Sequence, residues 1–220
     1  MRIDLHVHTW HSPDSLSQPR AILEIMDRRG IDMVAITDHN AIDGALEMAA
    51  LAPQRVIVGE EIATTQGEII GLFLVAPVAP RMSPEETVAA IHGQGGVVYI
   101  PHVADYGRGS TLRATALTQI LAQVDVLETF NARVLCARRN RQAVALAERT
   151  GLLQGAGSDA HRPEDVGLAW VELPAFVGSA SLLSALASGR IHGRLTGLAG
   201  RLAGVRARLA RGQGSAVPRR

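Results

Sequence analysis

Short apolar runs alternate with stretches of helical periodicity along most of this chain. Residues 2–8 have a polar side chain at every second position and predict a strand that carries Asp4, His6 and His8 on one face. Strands separated by helices are typical of βα units around a parallel sheet, so the pattern predicts an α/β fold. Compact apolar runs of the kind found in buried parallel strands follow at residues 31–37, 55–62, 68–76, 97–100, 124–129, 152–156 and 168–173.

The stretches between these runs predict helices with recognisable ends. Gly30 ends the first helix, and Gly151 ends the fifth. Ser83 and Pro84, followed by two glutamates, predict the N-cap and first turn of the third. About seven such units in fewer than 200 residues favour one compact or distorted barrel over two domains. The predicted helices cover residues 18–29, 41–51, 83–94, 111–122, 135–149 and 179–187.

The composition supports a single folded domain. Of the 220 residues, 47% are apolar and only 3% aromatic, so aliphatic side chains and alanine must build the core. The lone cysteine, Cys136, excludes a disulfide scaffold and suits a reducing compartment. Met1 leads directly into charged residues, and no apolar run reaches about 18 residues. We therefore expect no signal peptide, no membrane span and a cytoplasmic location.

The formal net charge of +1 conceals an uneven distribution. The chain has no lysine, and 8 of its 22 arginines lie from Arg190 onward, beyond the last acidic residue, Glu172. The 14 arginines and 21 acidic residues before Arg190 give the body a net charge of −7, and the tail carries +8. We predict a barrel domain over residues 1–189 and a basic tail over residues 190–220, helical to about residue 211 and disordered beyond it.

Residue types that bind metal ions occur at the ends of at least five predicted strands. The carboxyl ends of parallel barrel strands lie on one face, where such folds have their active sites. Imidazole and carboxylate are the usual ligands of Zn²⁺, Mn²⁺ and Fe²⁺, and several carboxylates allow more than one cation to bind close together. The pattern therefore predicts a metal centre at one mouth of the barrel. The residues concerned are His6 and His8, His39, Glu60 and Glu61, His102, and Asp159 and His161.

Several segments resemble the motifs of the PHP (polymerase and histidinol phosphatase) family. The likeness extends over roughly residues 1–175. It implies a distorted seven-stranded (βα)7 TIM-like barrel with two or three divalent metal ions, such as Mn²⁺, Zn²⁺ or Fe²⁺, at its C-terminal face. It also implies hydrolysis of phosphate esters. In chain order the segments are Asp4-Leu5-His6-Val7-His8-Thr9, Thr37-Asp38-His39-Asn40, Gly59-Glu60-Glu61-Ile62, Pro101-His102 and Gly157-Ser158-Asp159-Ala160-His161.

The resemblance also implies a set of metal ligands. Many members of the family have a histidine on the strand after the bridging glutamate, and Glu68 occupies that place here. Glu68 is then a substituted ligand, or the site holds one metal less firmly. Val103 is a second departure, because proline commonly follows the preceding histidine in the family. The implied ligands are His6, His8, Asp14, His39, Glu61, Glu68, His102, Asp159 and His161.

The implied metals suggest a mechanism. A water that bridges two cations ionises near neutral pH and attacks the phosphorus. Arg108 and Arg133 follow strands on the same face and are expected to bind the phosphate, unless they are ordinary loop charges. The leaving group would be protonated by His161, His39 or a water, and the sequence does not choose among them. Asp159 completes the expected catalytic set.

Three histidines lie outside the motifs. His11 is either a residue that contacts the substrate or its neighbours, or an ordinary surface residue. His92 is on a predicted helix and His192 lies in the basic tail, so we expect neither to be catalytic.

Three functions compete at this level. The first is hydrolysis of a small phosphorylated metabolite or a nucleotide. The second is cleavage of oligonucleotides or of a 3′,5′-bisphosphate nucleotide, which the basic tail would assist. No aromatic residue is interleaved with the tail arginines, so base stacking there is not supported and nucleic acid is not favoured. The third is a metal-binding module without catalysis, and the oligomeric state is left open.

Overall fold

The structure, a computed structural model, describes residues 1–197, which adopt a mixed α/β fold. The strands and helices predicted before residue 190 are present, with ends that differ by a few residues. The strands are β1 (Arg2–Val7), β2 (Met33–Ile36), β3 (Val56–Thr64), β4 (Gly67–Leu72), β5 (Val97–Ile100), β6 (Val126–Asn131), β7 (Leu153–Gly157), β8 (Ala169–Glu172) and β9 (Arg190–Gly193). The helices are α1 (Pro19–Arg29), α2 (Asp43–Leu51), α3 (Pro84–His92), α4 (Ala114–Ile120), α5 (Ala137–Thr150) and α6 (Gly178–Leu186).

Within the described residues, the strands form one nine-stranded sheet in the order β7-β6-β5-β4-β3-β2-β1-β8-β9. Strands β1, β2 and β3 are parallel to one another, and so are β5, β6 and β7. Strand β4 is antiparallel to both β3 and β5, β8 is antiparallel to β1, and β9 is antiparallel to β8. The sheet therefore differs from the expected (βα)7 arrangement. Only residues 65–66 separate β3 from β4, and so short a connection makes a hairpin, because a parallel crossover needs a dozen residues or more.

The sheet curves until its first strand meets β7. A parallel bridge joins Val7 to Ala160, where the His8 amide donates to the Ala160 carbonyl at 3.0 Å. The Asp159 amide donates to the His6 carbonyl at 2.8 Å. These bonds lie at the strand ends, so the barrel-like sheet is nearly closed. They also bring together two segments that are about 150 residues apart and that both carry predicted ligands.

The interior is aliphatic, as the composition predicts. Tyr99 on β5 is the largest fully buried side chain, and its hydroxyl donates to Glu128 Oε1 at 3.2 Å. Helix ends follow the predicted signals: Gly30 takes a left-handed φ of 62° after α1. Ser83 and Glu86 form a reciprocal capping box at the start of α3. Local sequence signals therefore set the helix ends. The aliphatic side chains pack between the sheet and the helices.

The prediction of a helix that begins at Arg190 is wrong for residues 190–193. Residues Arg190–Gly193 are strand β9, whose register pairs Trp170 with His192. The Trp170 and His192 rings stack with centroids 4.1 Å apart, and this contact favours a strand over a helix at the edge of the sheet. The remainder of the predicted tail helix and its disordered end, residues 198–220, lies outside the described residues. Within residues 1–197, no helix has the length and apolar character that crossing a bilayer requires.

Replacement of Gly157 by alanine tests the seam between β1 and β7. A Cβ atom at Gly157 would lie 2.2 Å from the His6 Cβ and 2.6 Å from Glu128 Oε1. Because both neighbours are buried, we expect Gly157→Ala to lower the free energy of unfolding by about 1–3 kcal/mol. Urea denaturation measures the change. Gly109→Ala is the matched control, since nothing lies within 4 Å of its Cβ position, and equal stability of the two variants would contradict the packing argument.

Candidate metal centre

All nine residues implied as ligands lie at one end of the sheet. Seven are buried, and His39 and Glu68 are partly exposed. Glu68 reaches this end from the beginning of β4, because β4 runs opposite to its neighbours. His6 is on β1, His8 directly follows it, Asp14 lies in the loop before α1, His39 follows β2, Glu61 is on β3, His102 follows β5, and Asp159 and His161 follow β7.

Glu61 occupies the middle of this cluster. Its Oε2 atom lies 3.5 Å from His6 Nε2, 3.4 Å from His8 Nε2 and 3.2 Å from His39 Nδ1. Its Oε1 atom lies 3.1 Å from His102 Nε2. One carboxylate therefore contacts four imidazole rings from three different strand ends. This is the geometry of a group that can bridge two cations.

Glu68 occupies the position at which the family resemblance implies a histidine. Its two oxygens lie 3.7 Å from His39 Nδ1 and 3.5 Å from His102 Nε2. The carboxylate is therefore directed at the same rings that contact Glu61. The substitution places a negative charge in the cluster instead of removing a donor from it.

A second part of the cluster forms around His161. Its Nε2 atom lies 3.2 Å from Asp14 Oδ2, and its Nδ1 atom lies 3.4 Å from Asp159 Oδ1. The His161 and His8 ring centroids are 4.2 Å apart, and those of His8 and His39 are 4.6 Å apart. His8 therefore connects the two parts of the cluster.

The donor atoms form three overlapping groupings of the size that a metal ion needs. In each grouping the donor atoms lie within 4.8 Å of one another. The donors are imidazole nitrogens and carboxylate oxygens, which is the chemistry that divalent transition metals prefer. The donor set therefore fits more than one cation. The groupings are His8, His39 and His161; His6, His8 and Glu61; and His39, Glu61 and Glu68.

Two arginines border the cluster, and both were predicted to bind phosphate. Arg108 Nη1 donates to Asp159 Oδ2 in a short contact. Arg133 Nη1 lies 3.6 Å from Asp159 Oδ1 and 2.9 Å from His161 Nε2. Both guanidinium groups therefore face the cluster and not bulk solvent. They supply positive charge beside the position where a bound anion would meet the cations.

The charges in the cluster separate the protonation of two neighbouring rings. Burial alone would lower the pKa of His6, but Glu128, Glu61 and Asp159 raise it well above its ordinary value. Burial lowers the pKa of His8 well below its ordinary value, and the neighbouring His161 and His39 rings add to that effect. His8 is therefore the neutral ring of the pair and has a lone pair ready for a cation.

Two other groups of the cluster are strongly shifted. Burial would raise the pKa of Asp159, but the Arg108 guanidinium holds it well below its ordinary value. Burial would lower the pKa of His39, but the carboxylates of Glu61, Asp14 and Glu68 raise it to about 9. In the metal-free protein, His39 is therefore protonated at neutral pH, and a cation that binds there must displace a proton.

Glu128 is the main residue of the site that the sequence analysis missed. It lies on β6 and is 1% exposed, and four donors converge on its carboxylate. Oε1 accepts from His6 Nδ1 at 3.0 Å and from the Tyr99 hydroxyl, and Oε2 accepts from the His102 amide at 2.6 Å and from Asn131 Nδ2 at 2.8 Å. A carboxylate orients the rings in front of it in this way. The available signal was an acidic residue within a predicted strand.

Asp38 has the equivalent role on the other side. Its carboxylate accepts from the Thr9 amide at 2.8 Å, the Thr9 hydroxyl at 2.6 Å and the Ser12 hydroxyl at 2.6 Å. The Ser12 hydroxyl also lies 3.1 Å from His8 Nδ1 and accepts from the His39 amide at 3.1 Å. Asp38 therefore holds the loop that orients His8, although the residue does not face the cluster itself.

Two of the clustered residues have unusual backbone angles. His102 has a φ of 36° and Asp159 a φ of 52°, both in the left-handed region that non-glycine residues avoid. Such a conformation costs on the order of 1–3 kcal/mol unless the surroundings impose it. Two hydrogen bonds impose this conformation here: the His102 amide donates to Glu128, and the Asp159 amide donates to the His6 carbonyl.

The remaining histidines lie elsewhere. His92 Nε2 lies 3.1 Å from Asp125 Oδ2, and His192 pairs with Glu172 at 3.2 Å. His11 Nε2 lies 3.0 Å from Glu47 Oε2, and more than a third of each of these two side chains is exposed. The structure therefore assigns His11 to neither part of the cluster.

Sequence comparison relates the chain to known proteins. Residues 4–148 match the family described as PHP domain, and residues 137–191 match the family described as PHP-associated. An uncharacterised protein of Methanocaldococcus jannaschii is 35% identical over 175 residues, which cover 78% of this chain and 70% of that protein.

Two solved structures share the fold. A two-domain protein from Bacteroides vulgatus that contains a predicted PHP-like metal-dependent phosphoesterase matches with a TM-score of 0.71 and 17% identity, over 88% of this chain and 65% of that one. A lesion-specific endonuclease from Pyrococcus furiosus matches with a TM-score of 0.62 and 15% identity, over 87% of this chain and 58% of that one. The chain spans less than two thirds of either protein, and at these identities the likeness establishes the fold alone.

Replacement of Glu128 by glutamine tests its role behind the rings. The amide keeps the shape of the side chain but removes the charge that holds His6 and the His102 loop, so we expect Mn²⁺ affinity to fall about 10- to 100-fold. Competition with a chelating dye measures the affinity, and circular dichroism checks the fold. Glu172→Gln is the control, because Glu172 lies on β8 and pairs with the exposed His192. Equal affinities in the two variants would contradict the assignment.

Proposed function

The chain belongs to the PHP domain family, and on that basis we propose that it is a metal-dependent phosphoesterase. The proposed substrate is a small phosphorylated metabolite or a nucleotide. The observation that carries the proposal is the set of three overlapping donor groupings bordered by Arg108 and Arg133. Cations and guanidinium groups on one face are suited to a phosphate ester, since both neutralise its charge.

The proposed metal ligands are those implied by the family motifs, with Glu68 as the substituted member. Glu61 is assigned as the bridging carboxylate, because it belongs to two of the three groupings. When bound, the cations would supply an ionised water as nucleophile and neutralise the charge of the phosphate. Two or three divalent ions fit the donors, with Mn²⁺, Zn²⁺ and Fe²⁺ as the candidates. The proposed ligand set is His6, His8, Asp14, His39, Glu61, Glu68, His102, Asp159 and His161.

The protein's own residues divide the remaining work. Arg108 and Arg133 bind the phosphate oxygens, and Asp159 holds Arg108 in place. With cations in the two groupings that contain Glu61, His161 is not needed as a ligand and can protonate the leaving oxygen. Its ring is oriented for that task by the Asp159 carbonyl at 2.9 Å. If a third cation were bound, His161 would be one of its ligands together with His8 and His39, and the proton would come from water.

A nuclease is the second candidate function. The chain has no acidic residue between Glu128 and Glu148, but this stretch contains four arginines around the start of α5. Arg139 lies 3.8 Å from Asp105 Oδ1 in the loop that carries Arg108, so this basic segment adjoins the proposed phosphate site. Such a segment could hold the further phosphates of an oligonucleotide. The arginines are Arg133, Arg138, Arg139 and Arg141.

Turnover of an aryl phosphate with Mn²⁺ tests the proposal. We expect His8→Ala to abolish hydrolysis and Asp159→Asn to lower kcat by at least about 100-fold, with an unchanged circular dichroism spectrum, because side chains at the mouth add little to the core. His92→Ala on α3 is the matched control and should retain activity. Cleavage of a 5′-phosphorylated oligonucleotide is measured in parallel. A kcat/KM for the oligonucleotide well above that for the aryl phosphate would favour the nuclease. Bound metal without turnover of either substrate would favour the non-catalytic module.

The departure at Glu68 makes a separate prediction about metal number. Glu68 belongs to one grouping only, whereas His39 and Glu61 belong to two. Glu68→Gln should therefore lower the occupancy of one cation by about half or more and leave the others bound. Elemental analysis of the purified variant against the wild type measures this. Unchanged metal stoichiometry would show that Glu68 is not a ligand.

A further inference from the structure

A pocket of about 410 Å³ lies beside the loop that follows His8, outside the ligand set. It is bounded by the loop after β1, the start of α1 and one face of α2. Its lining combines the Trp10 ring and Leu51 with the polar side chains of Gln18, Arg20 and Glu47. A volume of this size is within the range of pockets that bind small molecules.

The pocket is connected to the metal centre through one short loop. Trp10 is two residues after His8, so their Cα atoms are at most about 7 Å apart. The Trp10 amide donates to the Ser17 carbonyl at 2.9 Å, and the Ser15 hydroxyl donates to the His8 carbonyl at 3.2 Å. These bonds tie the loop into a fixed unit. The backbone at Trp10 therefore lies close to that of His8, a proposed metal ligand.

Trp10 provides an oriented aromatic surface. Its Nε1 donates to Glu47 Oε2 at 3.1 Å, and its ring stands edge-on to the His11 ring with centroids 6.3 Å apart. The side chain is nevertheless 41% exposed. An exposed tryptophan held in one orientation is a stacking surface for a flat ring.

The polar residues of the pocket offer both kinds of hydrogen-bonding group. Glu47 accepts the Trp10 and His11 bonds on Oε2, and its carboxylate has a second acceptor oxygen, Oε1. The same two bonds lower the pKa of the Glu47 carboxyl, so it is ionised at neutral pH. Arg20 adds donors, and the Gln18 amide adds a donor and an acceptor.

We propose that this pocket binds the base of a nucleotide whose phosphate reaches the metal centre. The inference rests on the proposed phosphoesterase function and selects the nucleotide among its candidate substrates. A nucleobase has flat faces for Trp10 and an edge of amino, imino and carbonyl groups for Glu47, Gln18 and Arg20. A sugar phosphate or a glycerol phosphate has no flat face that could stack on the Trp10 ring.

Fluorescence of the full-length chain tests base binding without turnover. The chain has two tryptophans, so Trp170→Phe leaves Trp10 as the sole one. We expect adenosine, guanosine, cytidine or uridine to quench the Trp10 emission in this variant and ribose to leave it unchanged. In Trp10→Phe, where only Trp170 emits, the same nucleosides should have no effect. Failure of all four nucleosides at millimolar concentration would overturn the proposal.

Kinetics test whether the base contributes to substrate recognition. The measured quantity is the ratio of kcat/KM for AMP, GMP, CMP or UMP to that for glycerol 3-phosphate, with Mn²⁺. Loss of stacking in Trp10→Ala should lower this ratio about 10- to 100-fold, mainly through KM, and Trp10→Phe should restore most of it. Trp170→Phe is the control and should keep the wild-type ratio.

The two proposals fail in different ways. In the first case, the chain hydrolyses glycerol 3-phosphate and all four nucleotides, and Trp10→Ala does not change the ratio of their kcat/KM values. This result overturns the nucleobase pocket and leaves the phosphoesterase proposal intact. Quenching of Trp10 by a nucleoside, with no turnover of any phosphate, supports the pocket and overturns the phosphoesterase.

Discussion

The burial of many ionisable groups in one place is the constraint on which this structure depends. Four ionisable side chains of the cluster are each at most 2% exposed: His6, His8, Glu61 and Asp159. An isolated charge at so buried a position would cost several kcal/mol. Each group therefore faces a partner of opposite charge or a ring that can stay neutral. The shifts of the pKa of His6 upward and of His8 downward are the direct consequence. The same donors suit divalent cations, which would replace protons in offsetting the carboxylate charge.

A second layer of polar residues holds the first in place. Glu128 and Asp38 together accept seven hydrogen bonds from the strands and loops that carry the rings. The same bonds stabilise a left-handed backbone at His102, and Gly157 leaves the space in which the His6 backbone meets β7. Glu128, Asp38 and Gly157 therefore position both the backbone and the rings at this end of the barrel. The near closure of the sheet is what brings β1 and β7 together.

The surroundings of the cluster limit what can bind there. Arg108 and Arg133 offset the negative carboxylates on one side, so that an anion can approach a body whose net charge is otherwise negative. On another side, the loop after His8 presents Trp10 to a pocket with polar walls. The phosphate and the remainder of a substrate would thus meet different parts of the chain, and the loop after β1 contributes to both.

The sequence by itself determined the strands and helices before residue 190, the family and the residues with ligand chemistry, because periodicity, capping residues and motifs are local signals. Only the tertiary structure decided the strand directions, since a hairpin between β3 and β4 and the pairing of β9 depend on contacts along the sheet. It also decided the importance of Glu128, because the sequence does not show which groups converge on an acidic residue within a strand. Convergence of residues 6 and 159 on one point depends on the curvature of the whole sheet, and that curvature is a sum over all its strands.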